Sequence, residues 1–358
     1  MKVLFISLGC DKNLVDTEKM LGQLLEHGHS FTDSEEDADA VVVNSCCFIG
    51  DAKEESIQNI LDMAELKKSG QIKALIVCGC LAQRYREEIR KEIPAVDEVL
   101  GTMATDKIVE ALEQAVAGNT GCYLGALDTL PLADGRRVVT TGGHYAYLKI
   151  AEGCDKHCTY CIIPKVRGDY RSVPMEQLLA EAEDLAEKGV RELILVAQET
   201  TLYGTDLYGK KALPELLKKL EAIPGIVWIR ILYCYPEEIN EELIAAIRDS
   251  SKVCHYLDIP IQHASDDVLH RMGRKTSEEQ LRQTIAHLRE EIPDIALRTT
   301  LISGFPGETQ EDFEELYRFV NEMEFERLGV FPYSAEEDTP AAAMENQIPE
   351  EVKNFRRD

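Results

Sequence analysis

Tyr145–Cys161, YAYLKIAEGCDKHCTYC, runs a strand-like segment straight into a loop carrying Cys154, Cys158 and Cys161. The C-x3-C-x2-C spacing delivers three thiols from one short loop. Three thiolates this close can take three corners of a 4Fe-4S cube and leave the fourth iron without a protein ligand. A zinc site would want a fourth protein ligand or a water, with His157 the near candidate, and a redox reading of CTYC leaves Cys154 unexplained. His157 itself is expected to be an exposed loop residue.

Outward from that loop, six strand-like segments follow one another from Tyr145 onward: YAYLKI, ELILVA, WIRILY, YLDIP, ALRTTLI and RLGVF. Helical patterns such as VPMEQLLAEAEDLAEKG separate them, and repeated strand-helix units predict a parallel barrel, open because it has six units instead of eight. Upstream, KVLFIS, AVVVN, ALIV and DEVLG alternate with amphipathic segments. Aliphatic runs of this kind are buried on both faces of a parallel sheet. The expected fold class is α/β: a parallel-sheet domain over 1–118, a linker over 119–143 marked by Gly, Thr, Asp and Pro131, and a (β/α) partial barrel over 144–358.

In open parallel sheets ligands collect beyond the carboxyl ends of the strands. Cys10 follows KVLFISLG, Cys46 and Cys47 follow VVVNS, and Cys80 follows ALIVCG, so three strands bring a cysteine to equivalent βα loops. That arrival suits an iron-sulfur or zinc site; small buried core residues are the alternative the pattern leaves open. Cys78 lies within its strand and is assigned to packing. One of Cys46 and Cys47 is expected to face the crevice, and the pattern does not choose between them.

The 358 residues, 44% of them hydrophobic, allow two to three domains. No apolar run approaches the ~18 residues of a membrane-spanning helix, and MKVLFISLGC has too short a core for a signal peptide, so a cytoplasmic protein with no membrane partner is expected. In a reducing compartment eleven cysteines are metal ligands, reactive thiols or core residues more readily than disulfides. Sixty-five acidic against thirty-nine basic residues leave a net charge of −26. This repels a polyanion, which makes nucleic acid an unlikely direct substrate and a basic protein the better-fitting partner. DSEEDAD reads as a solvated loop.

The C-x3-C-x-aromatic-C loop after the first strand of a barrel-like half resembles the signature of radical S-adenosylmethionine enzymes. With LGCDKN, NSCC and CGCLAQR upstream, the chain from Met1 to about Asp358 resembles the methylthiotransferases of that superfamily. SLGCDKNLVDTE, FIGDAKEESI, CLAQRY and LVAQETTLYG are similar to its RimO-type branch, which modifies an aspartate of the twelfth small-subunit ribosomal protein. The transfer-RNA branch typically opens with a GCQMN type of segment.

The resemblance implies two 4Fe-4S clusters. Cys154, Cys158 and Cys161 would hold the one that binds and cleaves S-adenosylmethionine, using an electron from an external donor. Cys10, Cys46 and Cys80 would hold the second, which carries the sulfur that is methylated and transferred; Cys47 stands where other members commonly have a small residue. No catalytic side chain beyond these ligands is implied. Tyr160 is a candidate for the adenine pocket, and Gln198 and Arg230 for the amino and carboxylate groups of S-adenosylmethionine. Gly304, in ISGFPGET, would permit close backbone approach to a ligand, and Asn13 and Asn44 would orient the neighbouring cysteines. Members usually carry a small C-terminal β-barrel, the TRAM domain, and the sequence is expected to end before it. Two alternatives stand beside this reading: a transfer-RNA adenosine methylthiotransferase, disfavoured by the acidic balance and the opening motif, and a non-catalytic iron-sulfur protein, which would leave the barrel unused.

Overall fold

Runs of β-branched and aliphatic residues build the first unit, Met1–Gly142 with Ile162–Arg171, in a computed structural model that describes residues 1–130 and 136–358. Its strands are β1 (Lys2–Ser7), β2 (Ser30–Thr32), β3 (Ala40–Ser45), β4 (Ala74–Gly79), β5 (Glu98–Leu100) and β6 (Gly121–Tyr123). They form one sheet in the order β2-β1-β3-β4-β5-β6, and every pairing is parallel. Gly121–Tyr123, placed in the linker by its composition, is the sheet's sixth strand, pairing Gly121 with Glu98. An edge strand of three residues is too short to show periodicity. Pro131 lies outside the described residues.

Helices α1 (Asp11–Glu26), α2 (Gly50–Lys68), α3 (Cys80–Arg84), α4 (Arg86–Glu92), α5 (Ile108–Val116) and α6 (Ile163–Arg167) complete this unit. Successive strand residues point to opposite faces, which explains why β3 and β4 are apolar throughout. Val41, Val43, Leu75 and Val77 pack with Ile60 and Met63 of α2 on one face. Val42 and Ile76 pack with Met20 and Leu24 of α1 and Leu112 of α5 on the other. Each such side chain, fully removed from water, contributes on the order of 1.5–3 kcal/mol.

The second unit comprises Gly143–Cys161 and Ser172–Asp358. After β7 (Tyr145–Lys149), the short strands β8 (Ala151–Glu152) and β9 (Arg171–Ser172) flank the segment that rejoins the first unit. Then come β10 (Glu192–Val196), β11 (Trp228–Ile231), β12 (Val253–Asp258), β13 (Ala296–Ser303) and β14 (Arg327–Pro332). The order is β7-β10-β11-β12-β13-β14, all parallel, with β7 and β14 at the two edges. Sequential parallel neighbours with unjoined edges are the open six-unit barrel that the repeats predict. Helices α7 (Met175–Glu187), α8 (Thr205–Tyr208), α9 (Leu213–Glu221), α10 (Glu241–Asp249), α11 (Asp266–Arg271), α12 (Glu278–Glu291), α13 (Gln310–Met323) and α14 (Glu350–Arg357) connect or follow these strands. Local sequence sets several starts: Ser277 with Gln280, and Thr309 with Asp312, close reciprocal capping boxes on α12 and α13. No helix among the described residues is long and apolar enough to cross a membrane.

Candidate functional site

In the first unit β1, β3 and β4 are adjacent, and their carboxyl ends lead to Cys10, Cys46 and Cys80. Cys10 precedes α1, Cys46 follows the last residue of β3, and Cys80 opens α3. Asn13 ties these loops together: its Nδ2 donates to the carbonyls of Leu8 and Ser45, both at 3.1 Å, while its Oδ1 lies 3.8 Å from Cys80 Sγ. Asn44 Nδ2 donates in turn to the Asn13 carbonyl at 2.8 Å and to Thr17 Oγ1 at 2.9 Å. Ser56 of α2 accepts from the Cys46 amide and donates to the Cys46 carbonyl, each at 2.9 Å. Gly9 has φ +87°, and a Cβ there would stand 2.7 Å from Cys46 Cβ, so only glycine lets the first loop approach the second this closely.

Burial pushes the Cys46 thiol up to about 12; Cys80 raises it next and Cys10 adds a smaller push, so both neighbouring sulfurs lie near enough to act on it. Cys47 is fully buried in the apolar cluster with Leu4, Val41 and Ile60. Cys78 is fully buried on the opposite face, among Val3, Met20 and Ile76, where packing accounts for it.

The second cysteine group sits on its own loop in the second unit. Cys154 and Cys158 are buried and Cys161 is half-buried, while His157 is exposed, with φ +50°. A turn from the Cys161 amide to the Cys158 carbonyl (3.0 Å) sets their spacing. Thr159 anchors the loop, its amide donating to the Met272 carbonyl at 2.9 Å and its hydroxyl to the Arg271 carbonyl at 2.8 Å. Cys158 Sγ lies 3.7 Å from the Tyr235 hydroxyl. Burial raises the Cys154 thiol to about 12, and Cys158 raises it further, against the lowering effect of the Lys156 amide. Tyr160 turns its ring edge-on to Phe305 at 6.4 Å and joins a cluster with Val268, Met272 and Tyr333.

Gln198 follows β10 and donates from Nε2 to Glu152 Oε1 at 3.0 Å; Lys149 Nζ holds the other Glu152 oxygen at 2.7 Å. Arg230 is engaged within the sheet. Its Nε donates to Glu192 Oε1 at 2.7 Å and its guanidinium covers Tyr256. Glu192 pairs in register with Tyr145 at the amino end of the sheet, so the ion pair turns Arg230 away from the carboxyl edge. Gly304 also departs from expectation: with φ +71°, a Cβ would stand 2.3 Å from Lys353 Cγ, so the close approach is to α14. Its amide donates to Glu308 at 2.8 Å.

Three residues near this loop carry no sequence signature. Arg274 is 6% exposed, stacks over Tyr235 at 4.2 Å and donates from Nη2 to the Pro260 carbonyl at 3.0 Å; its Nε and Nη1 have no partner. Glu199 is fully buried, its Oε1 accepting from Thr201 while Oε2 has no partner, and burial raises its carboxyl to about 7. Lys156 is held by Glu238 and lies over Tyr235. An unmatched buried polar atom costs about 1–3 kcal/mol. The orphaned atoms of Arg274, Glu199 and Gln198 thus fit a polar ligand with both cationic and anionic groups.

Among the described residues no three His, Cys, Asp or Glu side chains converge on one metal ion. A cube asks for something different, because each thiolate binds its own iron. Two groups made of cysteine alone fit soft iron-sulfur ligation.

Comparison with known proteins bears on both units. Residues 148–320 match the radical SAM superfamily, and residues 2–101 match an uncharacterized protein family, UPF0004. The chain is 64% identical over 357 residues to the ribosomal protein uS12 methylthiotransferase RimO of Lachnoclostridium phytofermentans, covering 100% of this chain and 81% of the relative. It is 51% identical over 358 residues to the RimO of Clostridioides difficile, with 100% and 81% covered. Among solved structures, the radical S-adenosylmethionine methyltransferase TsrM from Kitasatospora setae, with cobalamin and a [4Fe-4S] cluster bound, aligns with a TM-score of 0.66 at 13% identity, over 95% of this chain and 76% of that one. That distance speaks to fold alone.

Proposed function

The chain belongs to the RimO family of radical S-adenosylmethionine methylthiotransferases, and from that premise we propose that it adds a methylthio group to the β-carbon of an aspartate in the twelfth small-subunit ribosomal protein. The observation that carries the reading is the pair of cysteine groups, one gathered from three neighbouring strand ends and one confined to a single loop.

Cys154, Cys158 and Cys161 would hold one 4Fe-4S cluster, and Cys10, Cys46 and Cys80 a second. When bound, these clusters supply the one-electron reduction that cleaves S-adenosylmethionine and the sulfur that reaches the substrate, chemistry no side chain here can perform on an unactivated C–H bond. The residues of the chain bind and position. Arg274, a buried guanidinium with free donors, takes the carboxylate role first expected of Arg230, whose Nε is engaged by Glu192. Gln198, braced by Glu152, and Glu199 offer acceptors for an ammonium or ribose hydroxyl. Tyr160 presents its ring beside the cysteine loop as a wall for adenine. Asn13 and Asn44 fix the loops of the other group.

The acidic surface favours encounter with a basic ribosomal protein. A reducing electron donor is required, and reduced cysteines suit the cytoplasm. The test supplies anaerobically reconstituted, reduced enzyme with S-adenosylmethionine and either the ribosomal protein or transfer RNA. A mass increase of one methylthio group on the protein's aspartate is the expected result; methylthiolation of the RNA alone would reject the proposal.

A further inference from the structure

Arg167 is a buried cation with no part in the chemistry assigned above. It closes α6, is 1% exposed and lies in the first unit. Its Nη1 donates to Asp16 Oδ2 at 2.9 Å, and its Nη2 donates to Asn13 Oδ1, the same oxygen that stands 3.8 Å from Cys80 Sγ. Burying an ion pair is expensive, and apolar residues of similar volume would often serve stability as well or better. The pair also has a direction. Arg167 is the member bonded to Asn13, and so the one that reaches the residue beside Cys80.

Resting on the reading that Cys10, Cys46 and Cys80 hold a cluster, we propose that Arg167 is a positioning residue for that site. Through Asn13 it sets the place of Cys80, and it turns the positive end of a buried ion pair toward the cysteines. Negative charge gathering there, including the electron taken up on one-electron reduction, is stabilised by this fixed cation in a water-poor setting. Asp16, bonded to the same guanidinium, opposes the effect.

The test uses the full chain with Cys154→Ala, Cys158→Ala and Cys161→Ala, reconstituted anaerobically and titrated with mediator dyes while its visible absorption is followed. Arg167→Gln is expected to lower the reduced-to-oxidised ratio at a fixed poise by roughly tenfold or more, and Arg167→Lys to recover part of the loss. Asp16→Asn is expected to raise the ratio, which keeps the proposal open to refutation even where Arg167→Gln fails to fold. A packing role alone would not move the two substitutions in opposite directions. Unchanged potentials in iron-loaded Asp16→Asn and Arg167→Gln, or in Asp16→Asn alone where Arg167→Gln fails to fold, overturn the role of Arg167 and leave the cluster reading intact. A triple-alanine protein that takes up no iron overturns that reading and the inference with it.

Discussion

The two cysteine groups are made in opposite ways. Cys154, Cys158 and Cys161 need only one loop, its internal turn and the Thr159 anchor. Cys10, Cys46 and Cys80 come from three strands and meet only after the sheet has formed, held by Asn13, Asn44 and Ser56. The first kind of site depends on spacing, the second on topology and a buried polar lattice. Substitutions should therefore act locally at the one and through folding at the other.

The sharpest separation is expected from the cysteines. Iron analysis of the reconstituted protein should fall from about eight atoms per chain to about four in both Cys158→Ala and Cys46→Ala. Cleavage of S-adenosylmethionine should drop to background in the former and persist in the latter, with methylthio transfer lost in both. Cys47→Ala should keep its iron; loss of iron there, with retention in Cys46→Ala, would reverse the choice between the neighbouring thiols.

A smaller effect is expected at the lattice. Asn13→Ala removes the donor to two buried carbonyls and the acceptor for Arg167, and should cost about 3 kcal/mol in denaturant unfolding. It should also release iron from the strand-end group while leaving S-adenosylmethionine cleavage in place. Equal loss of both clusters would show that the two sites do not differ as argued.

The smallest change belongs to Glu199, whose carboxyl rises to about 7 from an ordinary 4.5 because it is buried. A raised folded-state value means the protonated carboxyl's contribution is full below about pH 4.5 and is lost as pH climbs through 7. Glu199→Gln removes that loss. Unfolding of the protein without cofactors should show the variant gaining about 2 kcal/mol over the parent between pH 5 and pH 8. Parallel pH profiles would mean that Glu199 is ionised in the fold.

Much of this was legible along the chain because its signals are local. Aliphatic runs such as VVVN and ALIV announce strands buried on both faces, and the C-x3-C-x2-C spacing lies within one loop. Strand ends also brought Cys10, Cys46 and Cys80 to one edge, since adjacency of β1, β3 and β4 follows from their aliphatic character and parallel order. What escaped depends on neighbours distant in sequence. Arg230 sits in a strand as a carboxylate-binding arginine would, yet Glu192 on the next strand engages it. Gly304 has the conformation of a ligand-hugging glycine and is filled by Lys353. Arg274 and Glu199 acquire meaning only from individual buried atoms left without partners, which no periodicity encodes.

Ile162–Arg171 has a practical consequence for anyone dividing the molecule. This decapeptide is connected on both sides to the second unit but completes the first, lending Ile162 and Val166 to its apolar interior and Arg167 to Asn13 and Asp16. A gene fragment ending at Gly142 would express a sheet with a hole in its hydrophobic filling and without the guanidinium that Asn13 and Asp16 hold. Independent production of the first unit calls for grafting the missing ten residues back, as a fused or added peptide, instead of trimming at the apparent boundary.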